Sequence, residues 1–183
     1  AVLTAAQRPD LVDALALICP GLHPRVGVPL GERLSIALAV LTGRAARSTF
    51  TIPLSDPALF TDQEEGQRFI ASDRLGLRVA TAGLLASSVM IDRGVAKAAR
   101  KVRQPSLLML SGQDRIVDND RTRRYFERVS SETKTVIEYP QGHHTLEFDP
   151  DPDRYATDLA KWLNRTLQGP AETVANETPG ERV

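Results

Sequence analysis

The 183-residue sequence predicts an α/β fold, an open parallel sheet interrupted by a long and mainly helical insertion. Three observations carry this. Ala14–Cys19 is a run of apolar residues closed by Pro20-Gly21, and Leu107–Leu110 is a second, opened by Pro105 and closed by Gly112. Such runs suit strands covered on both faces of a parallel sheet. Residues 22–103, between them, show helical rather than alternating periodicity. After the second run, strand, helix, strand and helix follow in turn, the order of a parallel sheet.

Each element has a local reason. Residues 1–7 are mostly helix formers, and Arg8, Pro9 and Asp10 close that helix. Within 22–103, Leu34, Ile36, Leu38, Val40 and Leu41 fall in a helical segment. Pro53, Pro57 and Gly66 interrupt the chain, and Leu75–Val89 and Asp92–Val102 read as two further helices, with no convincing strand. Beyond the second apolar run, Asn119 is placed to cap a helix through Val129 that shows Tyr125, Phe126 and Val129 on one face. Lys134–Tyr139 reads as a strand ended by Pro140, and Gln141–Pro150 as a loop. The last helix is expected to start at Asp151 with Pro152 in its first turn, and to bury Tyr155, Leu159, Trp162 and Leu163. From Gly169 onward Pro, Glu, Thr and Asn dominate without periodicity, so 169–183 reads as a disordered tail.

Composition excludes several functions. Twenty-three basic and twenty-three acidic side chains cancel, which gives nucleic acid or an anionic membrane nothing to recruit. The single cysteine, Cys19, cannot form an internal disulfide, and with three histidines it cannot build a Cys-rich zinc site. No apolar stretch is long enough to span a bilayer, and the first residues show no signal-peptide pattern. A cytoplasmic setting is the expectation.

Two polar constellations stand at the ends of the predicted strands, where functional groups gather in open α/β sheets. The first is Ser111-Gly-Gln-Asp114-Arg115-Ile-Val-Asp118. A carboxylate at Asp114 is placed to accept the Nδ1–H of a histidine and to fix its tautomer; the plainer alternative is that Asp114 caps its loop or pairs with Arg115. The second is Gln141-Gly-His143-His144-Thr-Leu-Glu-Phe-Asp149, after the next strand and so at the same sheet edge. A loop histidine there moves protons near neutral pH, or is a hydrogen-bonded surface residue. His143, His144 and Asp149 lack a standard metal-ligand spacing, so neither metal nor cofactor is expected. Asp151 and Asp153 read as helix cap and first-turn acids rather than calcium ligands. Arg93, Lys97, Arg100, Lys101 and Arg103 read as a solvated helix face, with phospholipid head groups the alternative.

An acid after one strand and a histidine after the next match the chain order Ser…Asp…His. The segment from Pro105 to Thr122 together with Tyr139–Asp149 resembles the monoacylglycerol lipase and lysophospholipase branch of the α/β-hydrolases. Asp114 and Asp118 keep the spacing of that branch's G-x-x-D-x-x-x-D motif, with Ser111 in place of the glycine and Gly112 beside it. Its histidine motif is met by His144, Leu146 and Glu147 or Asp149, which favours His144 over His143.

The resemblance implies a reading of the whole chain. Residues 1–21 would be the end of the nucleophile helix and the following core strand, and 22–103 a cap over the site. Residues 104–168 would be the C-terminal α/β core carrying the catalytic acid and histidine. The nucleophile elbow G-x-S-x-G occurs nowhere in the 183 residues, and the resemblance implies it upstream of Ala1. The implied function is a serine hydrolase acting on ester or lipid substrates, with Asp114 and His144 catalytic and the chain inactive alone. A missing N-terminal half would then be its partner. Leu22, Phe50, Ile52, Leu54, Phe60 and Leu85 are implied to line the substrate site. Two alternatives stay open: a non-catalytic half-domain or binding module that pairs with a partner chain, and an α/β-hydrolase with an aspartate nucleophile.

Overall fold

The computed structural model describes residues 1–168, so the reading of 169–183 as a disordered tail lies outside the described residues. Helix α1 (Val2–Gln7) leads through a 3₁₀ turn at Pro9–Leu11 into strand β1 (Leu15–Ile18). Strands β4 (Ser106–Ser111) and β5 (Lys134–Tyr139) complete a three-stranded parallel sheet in the order β1-β4-β5. Leu15 pairs with Ser106 and Ser106 with Lys134 in its register.

The central strand β4 is buried along its whole length. Its residues alternate between two cores, because successive side chains of a strand point to opposite faces. Leu108 and Leu110 join Leu15 and Leu17 against α1 and against helix α5 (Asn119–Glu127), which contributes Tyr125 and Phe126. Leu107 and Met109 face the other way, with Tyr139 and Leu146, onto helix α6 (Asp153–Leu167). There Trp162 is buried, with Tyr155, Leu159 and Leu163 packed around it as the stripe predicts. Both apolar runs reach both cores, Leu15 and Leu17 of the first joining one and Cys19 the other, but only the second is buried along its whole strand. In β1, Leu15 and Leu17 are buried while Ile18 is 38% exposed, because among the described residues β1 lies at the sheet edge.

The stretch between β1 and β4 is mainly helical, but it also holds two short strands where no convincing strand is expected. It holds helix α2 (Leu30–Leu41), strand β2 (Thr49–Thr51), helix α3 (Glu64–Ser72), strand β3 (Val79–Thr81) and helix α4 (Ala82–Ala98). Strands β2 and β3 pair antiparallel, with Phe50 opposite Ala80. Residues 75–81 are therefore not helical. Thr81 sits in extended backbone and its hydroxyl accepts the Leu84 amide at 3.2 Å, which makes it the N-cap of α4 rather than an interior residue. The two helices expected over 75–102 are one, α4, continued by a 3₁₀ turn at Ala99–Lys101.

Two further starts are corrected. The cap of α5 is Asp118, which accepts the Arg121 amide at 2.9 Å, and not Asn119, whose side chain turns back to the Ser111 carbonyl. Helix α6 begins at Asp153 after Pro152, with no side-chain cap. Among the described residues no helix is long and apolar enough to cross a membrane.

Candidate active site

The carboxyl ends of β4 and β5 are tied together before any side chain contributes. The Gly112 amide donates to the Tyr139 carbonyl at 2.7 Å, and the Gln113 amide to the Gly142 carbonyl at 2.9 Å. A third strap comes from the segment after β1, whose His23 carbonyl accepts the Asp118 amide at 2.8 Å. The acid loop thus runs between the histidine loop and the entrance to the insertion.

Within this frame Asp114 and His144 meet. His144 Nδ1–H donates to Asp114 Oδ2 at 2.9 Å, and the Asp114 side chain is 1% exposed. Asp114 Oδ1 accepts the backbone amides of Ile116 and Val117, both at 2.8 Å, and Oδ2 also accepts the Ser111 hydroxyl at 3.1 Å. Four donors on one carboxylate fix its orientation. Burial pushes the Asp114 carboxyl toward protonation, but the His144 bond and the two amides outweigh it and hold the pKa below the ordinary value. The His144 ring is one-fifth exposed, and its Nε2 makes no hydrogen bond among the described residues. Phe60, from the insertion, meets the same ring edge-on at a centroid distance of 6.0 Å.

Behind Asp114 lies a buried relay that sequence reasoning missed. Cys19 has φ +38°, a left-handed conformation rare for a residue with a side chain, and its Sγ–H donates to the Ser111 Oγ at 3.5 Å. Burial pushes the Cys19 thiol up to about 11, so it stays protonated near neutrality. With a thiol donor behind it, the Ser111 O–H is left to point at Asp114. Ser111 in the glycine position of the acid motif was the one signal in the sequence for this contact.

His143 points elsewhere. Its Nε2–H donates to Asp62 Oδ2 at 2.9 Å, while its Nδ1 faces Asp149 Oδ1 at 3.6 Å. Asp62 also receives both Nη atoms of Arg115, at 2.6 and 3.1 Å. Arg115 therefore pairs with the insertion and not with Asp114. The Arg115 bonds come first in holding the Asp62 carboxyl below its ordinary pKa.

The six residues proposed for substrate contact divide into three places. Ile52, Leu54 and Phe60 share a cavity of about 290 Å³ with Phe69 and Leu77. Phe50 and Leu85 instead pack between α2 and α4 with Ile36 and Ala82. Leu22 lines a depression with His23, Val89 and Tyr125 beside α4 and α5. Phe60 is the member shared by the cavity and the His144 ring.

A parallel sheet that brings an acid and a histidine into hydrogen bond at the ends of adjacent strands defines the α/β-hydrolase class. The model of the serine aminopeptidase S33 family matches residues 1–151, and the chain belongs to that family. Among solved structures it is similar to the monoacylglycerol lipase of Paleococcus ferrophilus, at 24% identity and TM-score 0.77, over 90% of this chain and 63% of that one. It is also similar to a soluble variant of the Saccharomyces cerevisiae monoglyceride lipase in complex with a substrate analog, at 14% identity and TM-score 0.73, over 90% of this chain and 60% of the other. Est1E from Butyrivibrio proteoclasticus matches at 16% identity and TM-score 0.52, over 92% of this chain and 57% of its own. At these identities the likeness is one of fold, and the chain spans less than two thirds of the length of these proteins. No curated protein matches the chain significantly.

Proposed function

We propose that the chain forms part of a carboxylic ester hydrolase of the serine type, with Asp114 and His144 as its acid and base. The single observation that carries this reading is the Asp114–His144 hydrogen bond through Nδ1, which leaves Nε2 to face a nucleophile. His144 Nε2 would take the proton of an attacking serine, and Asp114 would orient the ring and stabilise the imidazolium that results. The acyl-enzyme would form as the alcohol leaves with the proton returned by His144, and water would then release the acid by the same route. The serine, on a G-x-S-x-G elbow, would come from sequence preceding Ala1, since the 183 residues contain no such motif. The names of the similar monoacylglycerol lipases support an acylglycerol or related lipid ester as the substrate class. The cavity lined by Ile52, Leu54 and Phe60 supports an apolar acyl group beside His144.

The test begins with the coding sequence upstream of Ala1, expressed in frame with residues 1–183 and treated with a fluorophosphonate probe. The proposal expects an adduct on the serine of an upstream G-x-S-x-G. An extended protein that takes no adduct, or an upstream elbow that carries aspartate, contradicts the serine mechanism.

A further inference from the structure

Beside the Asp114–His144 bond runs a second connection between the same two loops. Arg115 is the residue after Asp114, and His143 is the residue before His144; both donate to the carboxylate of Asp62. Asp62 belongs to neither loop. It follows the 3₁₀ turn Pro57–Leu59 of the insertion, and the same stretch is fastened at two more points. Arg115 Nη1 donates to the Ala58 carbonyl at 2.6 Å, and the Thr145 amide donates to the Phe60 carbonyl at 3.1 Å. Phe60, which carries the second of these anchors, is the ring that meets His144 edge-on.

We propose that Asp62 is a positioning residue, a clasp that sets the spacing of the acid and histidine loops and holds the insertion segment 58–62 over His144. The role rests on the reading of Asp114 and His144 as acid and base. Chemistry suits the task. A carboxylate accepts from the two forked nitrogens of a guanidinium and from an imidazole N–H at once, so one side chain can bridge two loops. Asn at this position would keep one carbonyl acceptor and lose the charge. Asp62 is half-exposed and Arg115 is 44% exposed, so the clasp contributes little to global stability. Its effect is local: without it, no side chain of the insertion bridges Arg115 and His143, and segment 58–60 keeps only its Ala58 and Phe60 carbonyl bonds to the two loops. The arrangement also connects substrate and chemistry. Phe60 lines the apolar cavity with Ile52 and Leu54, so an acyl group seated there would press on the segment that Asp62 fastens.

The experiment reads the His144 Nδ1 proton directly, by proton NMR of the ¹⁵N-labelled 183-residue chain and its variants. In the parent protein this proton, bonded to a buried carboxylate, is expected to give a low-field resonance that exchanges slowly with water. Asp62→Ala is expected to speed its exchange by about ten-fold while the circular dichroism spectrum stays unchanged. Asp62→Glu, which keeps the charge and both acceptors, should recover part of the protection. His143→Gln removes only one arm and should give a smaller acceleration. Unchanged exchange in a folded Asp62→Ala protein overturns the proposal. So does unfolding of all three variants, since a half-exposed clasp should be dispensable to the fold. Because this readout needs no turnover, an accelerated exchange in Asp62→Ala, together with no esterase activity in the N-terminally extended protein that carries the G-x-S-x-G elbow, would sustain the clasp and reject the catalytic reading. Unaltered exchange in an active esterase would do the reverse.

Discussion

Gly112 and Pro140 are in such close contact that a Cβ on Gly112 would lie 2.4 Å from the Pro140 carbonyl oxygen. Real Cβ atoms do not approach backbone oxygen so closely. The glycine is required by the junction of the two loops that carry Asp114 and His144, and the Gly112 amide donates to Tyr139 at the same place. Gly112→Ala is therefore expected to destabilise the fold by about 1–3 kcal/mol, the usual range for overpacking a tight site. Chemical denaturation of the two proteins measures this. A neutral substitution would show that the loops are not held this tightly.

Ser111 is expected to act through Asp114. Ser111→Ala removes one of the four donors to the carboxylate and leaves the Cys19 thiol without its acceptor. The loss should cost about 1 kcal/mol of stability, the ordinary contribution of such a hydrogen bond. It should also raise the Asp114 pKa, because a donor to the charged form is gone. Titration of the carboxyl by ¹³C NMR in the two proteins gives the direction of the shift.

Stability should fall in acid on account of Asp114. Its folded pKa lies below the ordinary carboxylate value, so the folded chain binds fewer protons than the unfolded chain in that range. The stabilisation it provides is present above the unfolded pKa and is lost as pH falls through the depressed folded value. His23 adds to this at higher pH. Burial, and after it Arg121, lowers its pKa, so protonation below the ordinary histidine range also favours unfolding. Thermal melts of the parent and of Asp114→Asn from pH 7 to pH 3 should converge as the pH drops. Parallel curves would contradict the assignment of the acid limb to Asp114.

Cys19 is expected to be inert in the folded chain. It is 7% exposed and its thiol is pushed up to about 11, so little thiolate exists near neutral pH. Iodoacetamide at pH 8 should modify it slowly in buffer and rapidly in guanidinium chloride. Comparable rates in the two conditions would place the thiol outside the relay.

Much of this arrangement was legible in the sequence, and the reasons differ by element. The two apolar runs became β1 and β4, and the stripes of α5 and α6 became the two cores, because burial imposes a period that sequence displays. The meeting of Asp114 and His144 was legible because each stands in a motif beside a strand end. The strands β2 and β3 were not legible: they are three residues long, and their register depends on pairing Phe50 with Ala80, thirty positions away. Thr81 falls inside the helix that periodicity predicts over 75–89, although its hydroxyl makes it a cap. Asp62 left no local trace, since its partners Arg115 and His143 lie 53 and 81 residues further along the chain. The position of Phe60 against His144 follows from that same long-range closure.

The most direct measurement is steady-state hydrolysis of a p-nitrophenyl ester by the N-terminally extended protein and its Asp114→Asn and His144→Ala variants. The account predicts that kcat falls by about 10⁴-fold or more in both variants, the loss seen when a triad member is removed, with KM much less affected. Turnover that survives within about ten-fold in either variant, or that is lost equally in His143→Ala, would contradict the assignment of Asp114 and His144 as acid and base.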